Sequence, residues 1–162
     1  TEDVANRIEE INLPKIKTVM YAKGHYYLYK KKNSFKHLIY PLPNSNGHGI
    51  HAGMDIENNL RFGPNAKWVD SIEYSFDENT LDEFCNSIKS YWINFDPSCL
   101  TPDYTGIRSK TVAEGEGSQD FEILDACDHG LENLIHLQGI DSPGLTSSLS
   151  IAVEVISKLG IH

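Results

Sequence analysis

With 162 residues, 40% of them hydrophobic and 23% charged, the chain has the size and balance of one soluble globular domain with a real core. No apolar stretch approaches the roughly 18 residues a membrane span needs, and the start shows no signal-peptide pattern. A net charge of −9 argues against a nucleic-acid surface, which would concentrate lysine and arginine. Cys85, Cys99 and Cys127 are widely spaced and form no CxxC, so neither a disulfide framework nor a zinc site is indicated and a reducing cytoplasm is expected. The chain starts at Thr1 rather than Met, which suggests an N-terminus made by cleavage, trimming or incomplete reporting.

In chain order, Val4, Ile8 and Ile11 recur at helical spacing and Pro14 follows, so residues 1–13 read as the tail of a helix. Lys17 to Tyr29 alternates and is rich in Tyr and Val, the pattern of a strand ending in the solvated turn Lys30-Lys31-Lys32. His37 to Leu42 reads as a second strand, stopped by Pro41, Pro43 and the turn Asn44-Ser45-Asn46-Gly47. Gly49 to Asp55 and Leu60 to Phe62 follow as two more, with Glu57-Asn58-Asn59 between them and Gly63-Pro64-Asn65 after. Together they predict an antiparallel meander. Glu78 to Trp92 is the clearest helix, capped by Asp77, with Leu81, Phe84, Cys85, Ile88, Tyr91 and Trp92 on one face. Tyr104–Arg108, Phe121–Leu124 and Leu134–Gln138 are strand-like, and the acidic loop 114–118 separates the first two. A last helix covers roughly Leu145 to Leu159, so the class is α+β.

Three places could carry chemistry. After the strand ending at Gln138, Gly139 permits a tight turn, Ser142 is a favoured N-cap and Pro143 suits a first helical position. Gly144, Thr146, Ser147 and Ser148 would then expose amides and hydroxyls at a positive helix end, which attracts oxyanions, phosphates or an electron-rich ring edge. The plainer reading is a well-capped helix on a sheet. Arg108 closes an apolar strand and could clamp a carboxylate bidentately, although a surface ion pair is the more ordinary reading. His51 lies on the glycine-flanked strand Gly49-Ile50-His51-Ala52-Gly53, where a ligand could approach closely and an imidazole could act as a general base. A structural role is the ordinary alternative, and His48 reads as a loop residue. The seven histidines show no ligand spacing, so no metal is expected. The sequence has no GxGxxG, P-loop or GxSxG.

At these same segments the chain resembles the D-amino-acid-oxidase-like flavoproteins, most nearly the L-2-hydroxyglutarate oxidase or dehydrogenase group. The resemblance rests on LIYPLP (38–43), GIHAGMDIENNLRFGPNA (49–66), YTGIRSK (104–110) and GIDSPGLTSSLSIA (139–152), four motifs in family order over nearly the whole chain. It implies an antiparallel substrate domain and a C-terminal strand–helix that returns to a Rossmann-type FAD domain. The resulting expectation divides the chain into the end of a preceding helix (1–15), a substrate domain (16–105) and the return segment (106–162).

The resemblance also implies roles. Gly139, Ile140, Asp141, Ser142, Pro143, Gly144, Leu145 and Thr146 would face the flavin, and Gly24 of the Lys23-Gly24 pair would pass near it. Arg108, Lys23 and Tyr40 would bind the substrate, Arg108 taking its carboxylate, and His51 would take the hydroxyl proton as hydride passes from Cα to flavin N5. Members often have Pro after the arginine, whereas Ser109 follows here. The GxGxxG unit that cradles FAD would lie upstream, in the same chain or a separate one, so the fragment alone is expected to be inactive and not to retain FAD. A glycerol-3-phosphate- or amino-acid-oxidising relative and a non-catalytic module binding a small carboxylate or a protein are the rivals. The other expectations are a small anionic substrate, no nucleic-acid partner and a cytoplasmic location, peripheral to a membrane if the electron acceptor lies there. The isolated chain is expected to self-associate into a homo-oligomer through apolar surface left exposed.

Overall fold

The computed structural model describes residues 2–11, 16–42, 49–117 and 119–161. Pro14, the 44–47 turn, His48 and the Ser118 end of the acidic loop lie outside them. The chain forms two compact units, one of residues 22–108 and one of residues 1–21 with 109–162.

The first unit is built on a five-stranded sheet. Its central strand is β1 (Met20–Tyr29), flanked by β3 (Leu60–Phe62), β4 (Lys67–Val69) and β5 (Leu100–Lys110), with β2 (Ala52–Met54) beyond β3. β1 pairs antiparallel with β3 through Tyr27↔Phe62 and Leu28↔Arg61, and β3 pairs antiparallel with β2 through Ala52↔Phe62 and Met54↔Leu60. The predicted strand at 37–42 is reduced to a single antiparallel bridge, Ile39↔Ala52. Pro41 has no amide hydrogen to continue that ladder. The predicted 49–55 strand shortens for two reasons. Gly49 has a φ of +72°, and the Asp55 carboxylate turns the chain by accepting from the Glu57 and Asn59 amides. The alternation of the sequence did not predict β4.

One face of this sheet is closed by α2 (Leu81–Tyr91), entered through a 3-10 turn at Glu78–Thr80. Asp77 starts that turn as expected, its carboxylate accepting from the Asn79 amide. Phe84, Cys85 and Ile88 on the apolar face of α2 pack on Tyr27, Tyr29, Leu60 and Phe62 to make the core. The Tyr27 hydroxyl is paired to Thr80 Oγ1 at 3.0 Å and Tyr91 Oη donates to the Ile50 carbonyl at 3.0 Å, so both buried phenols are satisfied.

In the second unit the expected 1–13 helix is a single turn, α1 (Glu2–Ala5). Bonds from Arg7 N to Val4 O and from Ile8 N to Ala5 O tighten the chain out of the α ladder, and Glu10 takes a φ of +67°. β6 (Glu122–Leu124) and β7 (His136–Gln138) form an antiparallel pair, and between them lies the short helix α3 (Ala126–His129), capped reciprocally by Asp125 and Asp128. The last helix, α4, spans Ser148–Lys158 and starts later than the sequence suggests. The Gly144 amide closes on Asp141 O and the Ser147 amide on Pro143 O, so 142–147 is a chain of turns. Ser142 is therefore not the cap, nor Pro143 the first helical residue; the N-cap is Ser147, whose side chain makes no capping bond.

Candidate active site on the open face of the sheet

Side chains alternate across a strand, so the residues of β1 that are not in the core look the other way. His25, Tyr27 and Tyr29 are buried on the α2 side, where the Tyr27 ring lies 4.6 Å from Phe84. Tyr26 therefore projects from the opposite face, and the sheet brings the candidate residues to it in one cross-strand row. Tyr40 and His51 are neighbours across the Ile39↔Ala52 bridge, with ring centroids 4.2 Å apart. The Gly63 amide donates to the His51 carbonyl at 3.0 Å. A Cβ on Gly63 would stand 2.8 Å from Cδ1 of Tyr26, so the Tyr26 ring lies over that glycine. On its other side Tyr26 stacks on Tyr104 of β5, centroids 4.5 Å apart and planes 13° from parallel.

Tyr104, Gly106 and Arg108 occupy alternate positions of β5 and share a face. Nothing lies within 4 Å of where a Gly106 Cβ would be, leaving the backbone open between a phenol and a guanidinium. The electrostatics tie the group together. Burial raises the Tyr26 phenol above its ordinary pKa, as do the Tyr104 and Tyr40 phenols, while the Arg108 charge pulls it back down. Burial likewise raises Tyr104, with Arg61 opposing it. Arg61 is itself committed to Asp103 at 2.5 Å and to Asp55.

Of the residues singled out in the sequence, His51, Tyr40 and Arg108 thus come together on one face. Tyr26 and Tyr104 were not singled out. The strict alternation of His25, Tyr27 and Tyr29 with Tyr26 was the signal that could have found the first of them. Lys23 is buried on the odd-numbered side of β1, its ammonium 3.4 Å from Ser75 Oγ, away from this row. Gly24 has a packing reason to be glycine, because a Cβ there would be 2.7 Å from Pro64 Cβ and 3.1 Å from Asn65 O.

The segment Gly139–Thr146 lies in the second unit. Gly139 has a φ of +67°, and a Cβ on Gly144 would meet Asp141 O at 2.6 Å and Ile140 Cγ2 at 2.7 Å. The backbone is folded on itself here, and only glycine fits. Asp141 pairs with Lys110, Thr146 Oγ1 donates to Pro143 O at 2.9 Å, and Leu145 is exposed. The start of α4 carries no side-chain cap, so its positive end suits the electron-rich edge of a flavin ring. An open groove of about 760 Å³ runs beside it, lined by Phe121, Ile123, Ser142, Pro143 and Ile151. These residues fit the ring portion of FAD; the sequence has no GxGxxG to hold its pyrophosphate. Among the described residues no cluster of three or more His, Cys, Asp or Glu is gathered as for a metal, and no helix is long and apolar enough to cross a membrane.

Residues 5–157 match the family model "DAO: FAD dependent oxidoreductase". The mitochondrial L-2-hydroxyglutarate dehydrogenase of Arabidopsis thaliana is 30% identical over 96% of this chain and 35% of its own length. The glycerol 3-phosphate oxidase of Mycoplasma genitalium is 30% identical over 86% of this chain and 36% of its own length. The chain thus spans about a third of these relatives. In fold it is similar to the dithionite-reduced L-alpha-glycerophosphate oxidase of Mycoplasma pneumoniae with FAD bound, with a TM-score of 0.76, 17% identity, and coverage of 99% of this chain and 40% of that one. The chain belongs to the DAO family of FAD-dependent oxidoreductases.

Proposed function

We propose that this chain is the substrate-facing part of an FAD-dependent oxidoreductase that oxidises a small 2-hydroxy acid of the L-2-hydroxyglutarate kind. The observation that carries the reading is the gathering of Arg108, His51 and Tyr40 on one sheet face beside Tyr26 and Tyr104. FAD, when bound, supplies the two-electron oxidation. Arg108 binds the substrate carboxylate through its planar fork. His51, braced against the Tyr40 ring, accepts the hydroxyl proton. Gly106 keeps the surface beside Arg108 clear for the substrate carbon chain. The stripe of Leu149, Val153 and Ile156 on α4 is exposed at helical spacing, which supports packing against further polypeptide of the whole protein.

A second reading, oxidation of glycerol 3-phosphate, is favoured by the names of two relatives, the Mycoplasma genitalium oxidase and the glycerol 3-phosphate dehydrogenase of Caloramator mitchellensis. The test is to express the chain with the sequence that precedes it in its gene, record the flavin spectrum, and add 2-hydroxyglutarate, glycerol 3-phosphate or amino acids. Bleaching by 2-hydroxyglutarate is expected. Bleaching by glycerol 3-phosphate alone would select the second reading, and a colourless protein would favour a non-catalytic module. In the active protein Arg108→Lys should mainly raise KM and His51→Ala should mainly depress kcat.

A further inference from the structure

We propose that the end of the first unit's sheet carrying Lys30, Lys32 and Lys36 is a docking surface for an anionic phospholipid bilayer, with Ile56 and Ile93 as the groups that enter it. The inference goes beyond the proposed function and does not depend on which substrate is oxidised.

Charge is distributed unevenly along the chain. Residues 11–54 hold seven of the fourteen basic residues and no aspartate or glutamate, in a chain whose net charge is −9. Four of those lysines, Lys30, Lys31, Lys32 and Lys36, are exposed in the loop that leaves β1. The fold brings two other loops to the same end. The Lys30 amide donates to Cys99 O at 2.8 Å and Lys31 Nζ pairs with Asp96 at 2.6 Å, which ties on the turn between α2 and β5. Asn33 Nδ2 donates to Asn58 Oδ1 at 3.0 Å, which ties on the tip of the β2–β3 hairpin. Beneath them Phe35 packs edge-on against Trp92, ring centroids 5.0 Å apart, so this end is braced. Each added loop raises one isoleucine into solvent. Ile56 at the hairpin tip is wholly exposed, and Ile93 after α2 is 95% exposed.

The ion pairs at this end decide the sign of its partner. Asp96 is held by Lys31 and Ser98, and Asp55 and Asp103 by Arg61. Glu57 remains, beside Asn59. Among the described residues Lys30, Lys32 and Lys36 make no ion pair, which leaves three ammonium groups against one carboxylate. Charges are screened over about 8 Å at physiological salt, so an approaching surface meets this local excess and not the net charge of the whole chain. A polyanion in solution would use the lysines and leave both isoleucines in water. A bilayer uses both, with phosphates for the ammonium groups and an acyl boundary for the apolar tips. Arg108 lies eight residues along β5 from Leu100 at this end, roughly 26 Å away, so docking leaves it clear of the lipid.

The test is flotation of the full-length protein with vesicles of phosphatidylcholine alone, or of equal parts phosphatidylcholine and phosphatidylglycerol, at low and high salt. Binding to the anionic vesicles only, weakened by salt, is expected. Lys30→Gln, Lys32→Gln and Lys36→Gln together should weaken it about 100-fold, at roughly fivefold per lysine. Ile56→Ser with Ile93→Ser should weaken it by about tenfold or more with the lysines intact. All five side chains are exposed, so melting temperatures should match the wild type; if one variant set melts early, the other decides. Equal flotation with both vesicles, flotation with neither, or unchanged flotation of the lysine variant would overturn the proposal. Loss in the lysine variant with wild-type binding in the isoleucine variant would also overturn it, and would point to a soluble polyanion.

Discussion

Gly63→Ala should be strongly damaging, because it adds both backbone strain and overpacking. Gly63 sits at a φ of +139°, where L side chains are strained, at a cost of about 1–3 kcal/mol. The added Cβ would also stand 2.6 Å from the His25 carbonyl oxygen, 0.8 Å inside the 3.4 Å at which ordinary contact begins. That oxygen belongs to the backbone of the central strand, whose His25 and Tyr27 are buried, so it cannot swing aside. The second obstacle, Tyr26 Cδ1 at 2.8 Å, is pinned by Tyr104. Overpacking of this kind costs a further 1–3 kcal/mol or so. Together the effects amount to about 2–6 kcal/mol, against a total stability for such a domain of about 5–15 kcal/mol. With a urea slope of about 2 kcal/mol/M, the unfolding midpoint should fall by roughly 1–3 M. An unchanged midpoint at unchanged slope would show that the row has slack at Gly63 and would refute the account of how Tyr26 is held.

Gly106→Val supplies the opposite case. No atom stands within 4 Å of its Cβ position, and a β-branched residue suits a strand, so stability should hold or rise by up to about 1 kcal/mol. The new side chain fills the space beside Arg108, so KM should rise; a wild-type KM would place the substrate elsewhere. A pH effect is expected from His136. Burial lowers its pKa below the ordinary value and nearby positive charge, His129 included, adds to this, against a bond to Gln138. The unfolded chain, titrating near pH 6.5, takes up a proton that the folded one resists. Stability from this group is thus complete above about pH 6.5 and is lost as pH falls below it. The melting temperature should fall from about pH 7.5 to 5.5, and His136→Gln should flatten that slope. Equal slopes in both proteins would assign the loss to other groups.

How much could be read beforehand depended on whether the deciding interaction was local. The Asp77 cap, the apolar face of α2 and the Leu60–Phe62 strand are set by neighbours in sequence, and all appear as expected. The late start of α4 is also local, but its signals compete. Ser142 and Pro143 satisfy the rules for a helix start, yet Gly144 bonds back to Asp141 and breaks the ladder before it forms. β4 has too few residues to show a period, and it exists because β1 offers it an edge. At the candidate site, motif reasoning reached His51, Tyr40 and Arg108 but not Tyr104. Its significance comes from stacking on Tyr26 across strands 78 positions apart, which no local pattern encodes.

The two faces of the sheet also explain which site groups are held most firmly. Four members of the row are flanked in sequence by a residue of the packed face: Tyr26 by Tyr27, Gly63 by Phe62, His51 by Ile50 and Ala52, and Tyr40 by Ile39; Tyr104 is held by its stack on Tyr26. Moving any of these would drag an aromatic or aliphatic anchor out of a closely packed interior, so the aromatic wall inherits the stiffness of the core. Arg108 has no such neighbour. The buried anchor of β5 is Leu100, at the far end of the strand, and Ile107 and Ser109 beside the arginine lie outside the core cluster. Along the chain, Arg108 thus lies farther from a core residue than Tyr26, His51 and Tyr40 do. If that anchoring decides selectivity, discrimination between the hydroxydicarboxylate and the phosphate ester for which relatives are named should respond more to exchange of Tyr26 or Tyr40 than to Arg108→Lys.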